Sequence, residues 1–102
     1  FNFNDEAYSS ESGGFHPVEI TINKNVSHLW VFNYITDFTY VGTGMDAELT
    51  KEIDFDFGNQ VGFHLWTGYQ SLEKMKELYL LWESNFISYI DMDVFTVKII
   101  TD

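Results

Sequence analysis

Cysteine is absent from the 102-residue chain. Disulfide bridges, thiolate zinc sites, iron–sulfur clusters and cysteine nucleophiles go with it. The missing thiols fit a reducing compartment, and a cytoplasmic location is expected. Arginine is absent too, so five lysines face 16 carboxylates and the formal charge is −11. Proteins bind phosphate backbones through Lys and Arg that displace counterions, so direct binding of nucleic acid is not expected. Nor is attraction to an anionic membrane surface. No run of about 18 apolar residues marks a membrane span, and no basic-then-apolar leader opens the chain. Phosphate-loop, dinucleotide and zinc-helix motifs are missing as well. The first residue is Phe1 rather than Met, which points to a segment upstream.

What is present is apolar and aromatic material, 45% and 19% of the residues. A chain of this length makes one domain, 1–102, and buries roughly two-thirds of the surface its unfolded form exposes. Nineteen per cent aromatics make a dense core without metal or disulfide support. The negative excess favours solubility and steers basic partners toward the surface.

Along the chain, Phe1 and Phe3 alternate with polar neighbours as in a short strand, and residues 5–14 form a loop rich in Ser, Glu and Gly. Val18, Ile20 and Ile22 alternate with Glu19, Thr21 and Asn23, the period of a half-buried strand. A turn at Lys24-Asn25 leads into a strand over 29–37. Trp30, Phe32 and Tyr34 lie on one side of it, Leu29, Val31 and Ile35 on the other, which places it centrally and covered on both faces. Residues 39–48, with Gly42 and Gly44, read as a loop. Ile53, Phe55 and Phe57 alternate with Glu52, Asp54 and Asp56, and Gly58-Asn59-Gln60 turns the chain into Val61, Phe63 and Leu65, a hairpin. Ser71 is a helix N-cap with Lys74 where a capping box has Glu. Leu72, Met75, Tyr79, Trp82, Phe86 and Tyr89 form an apolar stripe along a helix over 72–91, and Phe95, Val97 and Ile99 make a last strand. Hairpin-length connections force antiparallel pairing, and one helix covers one face. The expected fold is α+β, a curved, mostly antiparallel sheet of five to six strands with one long helix across it.

Several blocks carry a resemblance to a known family. They are Gly13-Gly14-Phe15-His16-Pro17-Val18-Glu19-Ile20, Tyr34-Ile35-Thr36-Asp37-Phe38, Glu48-Leu49 with Lys51 and Ile53-Asp54, and Asn85-Phe86-Ile87 with Tyr89. In this order, over nearly the whole chain, they resemble the uncharacterised bacterial family named domain of unknown function 2787. The resemblance implies a small soluble bacterial protein with no assigned activity and no catalytic residues to carry over. It also implies an additional N-terminal segment in relatives.

Three groupings are candidates for chemistry. In the first, the Gly13-Gly14 turn and the stiff His16-Pro17 step deliver His16 to a sheet edge. Glu19 or Asp37 nearby would orient its imidazole as a general base. The plainer reading has His16 fixing its own loop, because no nucleophile stands beside it. In the second, Glu52, Asp54 and Asp56 share one strand face. Carboxylates spread about 7 Å apart along a strand suit no calcium loop and read as a solvated face that a basic partner would relieve. In the third, His64 meeting Asp54 or Asp56 across the hairpin would have the composition of a metal site, but register alone decides this and no metal or cofactor is expected. His28 reads as exposed. Leu78, Leu80 and Leu81 widen the helix's apolar surface beyond one stripe, so a second subunit or further chain is expected to cover it, the former making a homodimer.

These readings predict a non-enzymatic protein-interaction module with a basic protein partner, using Phe15, His16, Glu19, Glu52, Asp54 and Asp56 as binding residues. The alternative is a small-molecule binding protein, or an enzyme, with an aromatic pocket and His16 at its mouth.

Overall fold

The structure, a computed structural model, describes residues 1–42 and 44–101. Thr43, in the loop expected over 39–48, and Asp102, at the end of the expected 1–102 domain, lie outside them. Seven strands, β1 (Asn2–Asn4), β2 (Val18–Lys24), β3 (Trp30–Val41), β4 (Glu48–Asp56), β5 (Val61–His64), β6 (Gly68–Ser71) and β7 (Thr96–Lys98), form one open antiparallel sheet in the order β6-β5-β4-β3-β2-β1-β7. Helix α1 (Lys76–Asp91) lies between β6 and β7 in sequence. Short connections keep β2 to β6 adjacent in chain order, a longer loop over 5–17 joins β1 to β2, and α1 returns the chain from the β6 edge to the β1 edge. A 16-residue helix spans about 24 Å. That is most of the roughly 29 Å across six strand spacings.

The expected α+β class holds, with seven strands rather than five to six. The extra strand is β6, four residues with no apolar alternation and Tyr69 turned to solvent, so the period-two signal is missing there. Gly68, at φ 79°, supplies the left-handed backbone that starts it. The loop expected over 39–48 is shorter than the glycines suggested. Thr39, Tyr40 and Val41 continue β3 and pair with Thr50, Leu49 and Glu48. Thr, Tyr and Val favour strands, and pairing wins up to Gly42.

One face of the sheet carries Val18, Ile20, Ile35, Ile53 and Phe55, buried against Met75 and Trp82. Leu72, Leu78, Tyr79 and Phe86 pack around them, so the predicted stripe is the helix's inner face. Burying a large apolar side chain contributes about 1.5–3 kcal/mol, which makes this layer the main stabilising element. Phe55 meets Tyr79 edge-on at 5.0 Å, and Trp82 stacks on Phe86 at 4.9 Å. The helix expected from residue 72 opens instead as a 3-10 turn, Leu72–Met75, and Ser71 makes no side-chain cap bond. Gly62 leaves room for that turn, since a Cβ there would stand 2.1 Å from Met75 Sδ.

Two register shifts break the period-two pattern. Between Thr21 and Ile22, β3 has one extra residue, so Phe32 pairs with Ile22 and lies 5.9 Å from Phe57. Phe32 therefore shares the helix-facing side with Ile22 rather than the Tyr34 side expected from alternation. β3 is the central strand, as predicted, but its first residues extend past the helix and are not covered. The second shift, at Asp37/Phe38, builds the site described next.

Candidate functional site

The loop before β2 is tied down locally. Asp5 Oδ2 accepts from the Phe15 amide at 3.0 Å, and Ser9 and Gly13 bridge each other. Gly14, at φ 132°, lies where a Cβ would come within 2.9 Å of Asp5 Oδ2 and 3.0 Å of Tyr8 Cα, so only glycine closes the turn without displacement. The folded loop projects Phe15 onto Tyr89, 4.7 Å between ring centroids, and places His16 over the sheet.

His16 Nδ1 lies 2.9 Å from Asp37 Oδ1 and 3.1 Å from Glu52 Oε2. Trp82 Nε1–H donates to the other oxygen, Asp37 Oδ2, at 2.8 Å. One carboxylate thus joins the loop, β3 and α1. The hydrogen bond to Asp37 raises the His16 pKa above its ordinary value; partial burial opposes this, and the charges of Asp37 and Glu52 add to it.

Of the two carboxylates expected near His16, the structure brings Asp37 and not Glu19. Val18 pairs with Asp37 and Glu19 with Thr36, so Glu19 points to the opposite face. Glu52 arrives through the bulge. Asp37 pairs with Ile53 and Phe38 with Lys51, leaving Glu52 as the extra residue. A bulge re-aims the side chain it carries. The Lys51 ammonium sits 5.0 Å from the Phe63 ring centroid, and Phe63 pairs with Asp54. Residues 51 and 54 share the outer face, which an unbroken strand would forbid.

The expected row of Glu52, Asp54 and Asp56 is therefore split. Glu52 turns to His16, while Asp54 accepts from the buried Thr36 hydroxyl. Asp56 accepts from the Asn59 amide and side chain, and these bonds hold its carboxyl below the usual range. His64 does not meet Asp54 or Asp56. It pairs with Ile53, on the other face, and its Nδ1 accepts from the Trp66 amide at 3.2 Å. His28 occupies the β2–β3 turn with φ 62°.

A cleft of about 240 Å³ opens beside His16 and Asp37, walled by Phe15, Trp82, Phe86, Tyr89 and Phe95, with Asn85 at its edge. Trp82, Asn85 and Tyr89 sit on helical positions that read as stripe or surface in the sequence. The available signal was Tyr89, which continues the stripe beyond the strands it could pack on. Phe95 gave no signal, because the chain end folds back only through β7–β1 pairing. The blocks around Gly14–Val18, Asp37 and Asn85–Tyr89, far apart in sequence, all meet at this cleft.

Comparison with known proteins decides the family. Residues 1–100 match the family model described as "Protein of unknown function (DUF2787)". The chain belongs to the DUF2787 family. A search of curated proteins finds no match. Two solved Vibrio cholerae structures share the DUF2787 fold. One is a hypothetical protein of the VSP-II pathogenicity island, 42% identical, TM-score 0.85, the match covering 94% of this chain and 79% of that one. The other is a conserved hypothetical protein of pathogenicity island VPI-2, 40% identical, TM-score 0.85, covering 94% and 74%. The latter is described as sharing structural homology with the human P32 protein.

A second surface of this DUF2787 chain lies at the far end of the β2–β3 hairpin. Val26, Leu29 and Trp30 are 99%, 63% and 64% exposed, and Val31 and Phe32 follow them into solvent. Lys24 covers the Trp30 ring from 5.2 Å. On α1, Leu80, Leu81 and Ile87 face outward. Leu78, grouped with them in the sequence reading, instead packs on the core. No helix among the described residues is long and apolar enough to cross a membrane.

Proposed function

We propose that the protein works without catalysis, as a module that binds another protein through the apolar end of its β2–β3 hairpin. The observation that carries this is the run Leu29-Trp30-Val31-Phe32, exposed in succession on an otherwise acidic chain. Trp30 and Phe32 lie on the Ile22 face of the hairpin and Val31 on the other, and exposed aromatic anchors of this kind are what interfaces bury. The −11 net charge steers basic partners toward the molecule as a whole. The acidic side chains need not form one strip for this, because Glu52, Asp54 and Asp56 contribute to the field from both faces. At His16, the imidazole hydrogen-bonds a carboxylate rather than a hydroxyl among the described residues.

The test pairs wild-type protein with a Leu29→Ser/Trp30→Ser variant. Both residues are exposed, so stability is expected to change little. Affinity for a partner captured from host lysate is expected to fall more than about tenfold, and wild-type binding to weaken with salt. Equal affinity of the two proteins for that partner would sink the reading.

The cleft favours a second reading, a small-molecule site. The Asn85 amide and Tyr89 hydroxyl make no hydrogen bond within the described residues, although they border aromatic walls. Aromatic walls with a few free polar groups suit a small ligand. A fragment library that leaves the Trp82 indole N–H resonance unmoved in NMR spectra would remove this reading.

A further inference from the structure

Three ligand-type atoms from three separate segments converge at one point. His16 Nδ1, Asp37 Oδ1 and Glu52 Oε2 all lie within 4.8 Å of one another. We propose that His16, Asp37 and Glu52 bind one divalent first-row transition cation, of the manganese class, through one imidazole nitrogen and two carboxylate oxygens. The proposal is separate from the hairpin reading; it shares His16 and Asp37 with the cleft but requires no ligand there.

The distances support this geometry. Ligand atoms about 2.1 Å from a metal are separated by about 3.0 Å when they meet at right angles, and by about 3.4 Å in a tetrahedron. Nδ1 stands 2.9 Å from Oδ1 and 3.1 Å from Oε2, and all three atoms lie within 4.8 Å of one another, a spacing that one shared cation can span. Two carboxylates supply two negative charges, equal to the charge of the ion. A nitrogen ligand favours transition ions over calcium or magnesium, and the absence of thiolate disfavours soft ions.

The surroundings fit as well. Trp82 Nε1–H holds Asp37 Oδ2, leaving Oδ1 turned to His16, the kind of outer-shell bond that orients a metal-binding carboxylate. Lys51, next to Glu52 in sequence, lies over the Phe63 and Tyr69 rings on the other side of the sheet and does not compete for the site. The three side chains are 34%, 13% and 25% exposed, so water can reach the remaining coordination positions. The bulge at Asp37/Phe38 is what makes the set. Without it, Glu52 would face away and two ligands would remain.

Mn2+ is the probe, added in substoichiometric amounts to wild-type protein at mildly alkaline pH. The chain has three histidines. Paramagnetic broadening is expected to remove the His16 imidazole resonances first and leave His28 and His64 sharp. Equal broadening of all three, or none, overturns the proposal. Counting bound Mn2+ by electron paramagnetic resonance is expected to give one ion per chain. H16Q and E52Q should each weaken it by more than about tenfold, and E73Q, at an exposed acid of the 3-10 turn, should leave it unchanged. Identical binding by wild type, H16Q and E52Q also overturns it. The broadening experiment needs no variant, so a misfolded E52Q does not decide the outcome.

Discussion

Asp37 has both oxygens committed, one to His16 and one to Trp82, so the charge state of His16 is linked to how the loop and helix sit on the sheet. His16 holds its proton more tightly folded than unfolded. A group whose folded pKa is raised adds stability that is complete below its unfolded pKa, about 6.5, and is lost as pH rises through the folded value. In chelator-treated protein, urea midpoints are therefore expected to fall as pH rises through that window. The H16Q variant should lack this component. The other two histidines are common to both proteins and cancel in the difference. Parallel midpoint–pH curves for wild type and H16Q would show that the ion pair does not contribute.

Strand β5 and the turn that starts the helix fit together through the absence of a side chain. A Cβ on Gly62 would collide with Met75 Sδ, and Met75 is buried. Gly62→Ala is expected to destabilise by about 1–3 kcal/mol from overpacking. Met75→Ala alone should cost about 2–5 kcal/mol through its cavity. In the double variant the new methyl occupies vacated space, so its cost should be less than the two single costs added. Strict additivity in urea denaturation would show that these positions do not share the space. The strands differ in how much of themselves they show in sequence. β2 alternates cleanly, and its period marks it to within a residue or two of its ends, because one face is buried and the other is polar. β6 is short and half-exposed on both faces, so no period marks it. Both bulges are invisible to a period-two reading, since it assumes the regularity they interrupt. For that reason Phe32 and Glu52 were assigned to the wrong faces.

At the scale of the molecule, the principal extents are 47 × 29 × 26 Å. The β2–β3 hairpin carries its apolar end away from the helix layer, leaving core-type side chains without a core. The helix adds Leu80, Leu81 and Ile87 on its outer side. A net charge of −11 sets the sign of the long-range field around such surfaces. The salt dependence expected of partner binding belongs to this scale, because it comes from the summed field rather than any one carboxylate. The two open edges, β6 and β7, are only four and three residues long, which limits strand addition there.

Periodicity by itself determined the α+β class, the central place of β3 and the inner stripe of the helix, because burial repeats at a period of 2 or 3.6 and a linear reading retains that. The family is legible in the sequence by another route, the resemblance of its ordered blocks to known relatives. The tertiary structure alone decided which carboxylates meet His16. Asp37 and Glu52 lie 21 and 36 positions beyond it in the chain. Their approach depends on strand register and on one extra residue in β4. A one-residue shift reverses the face of a side chain at almost no cost to local propensity, so the sequence pattern holds no record of it. The exposure of Leu29–Phe32 was likewise decided in three dimensions. Their alternation is that of a buried strand, and only the reach of the helix determines where the covering ends.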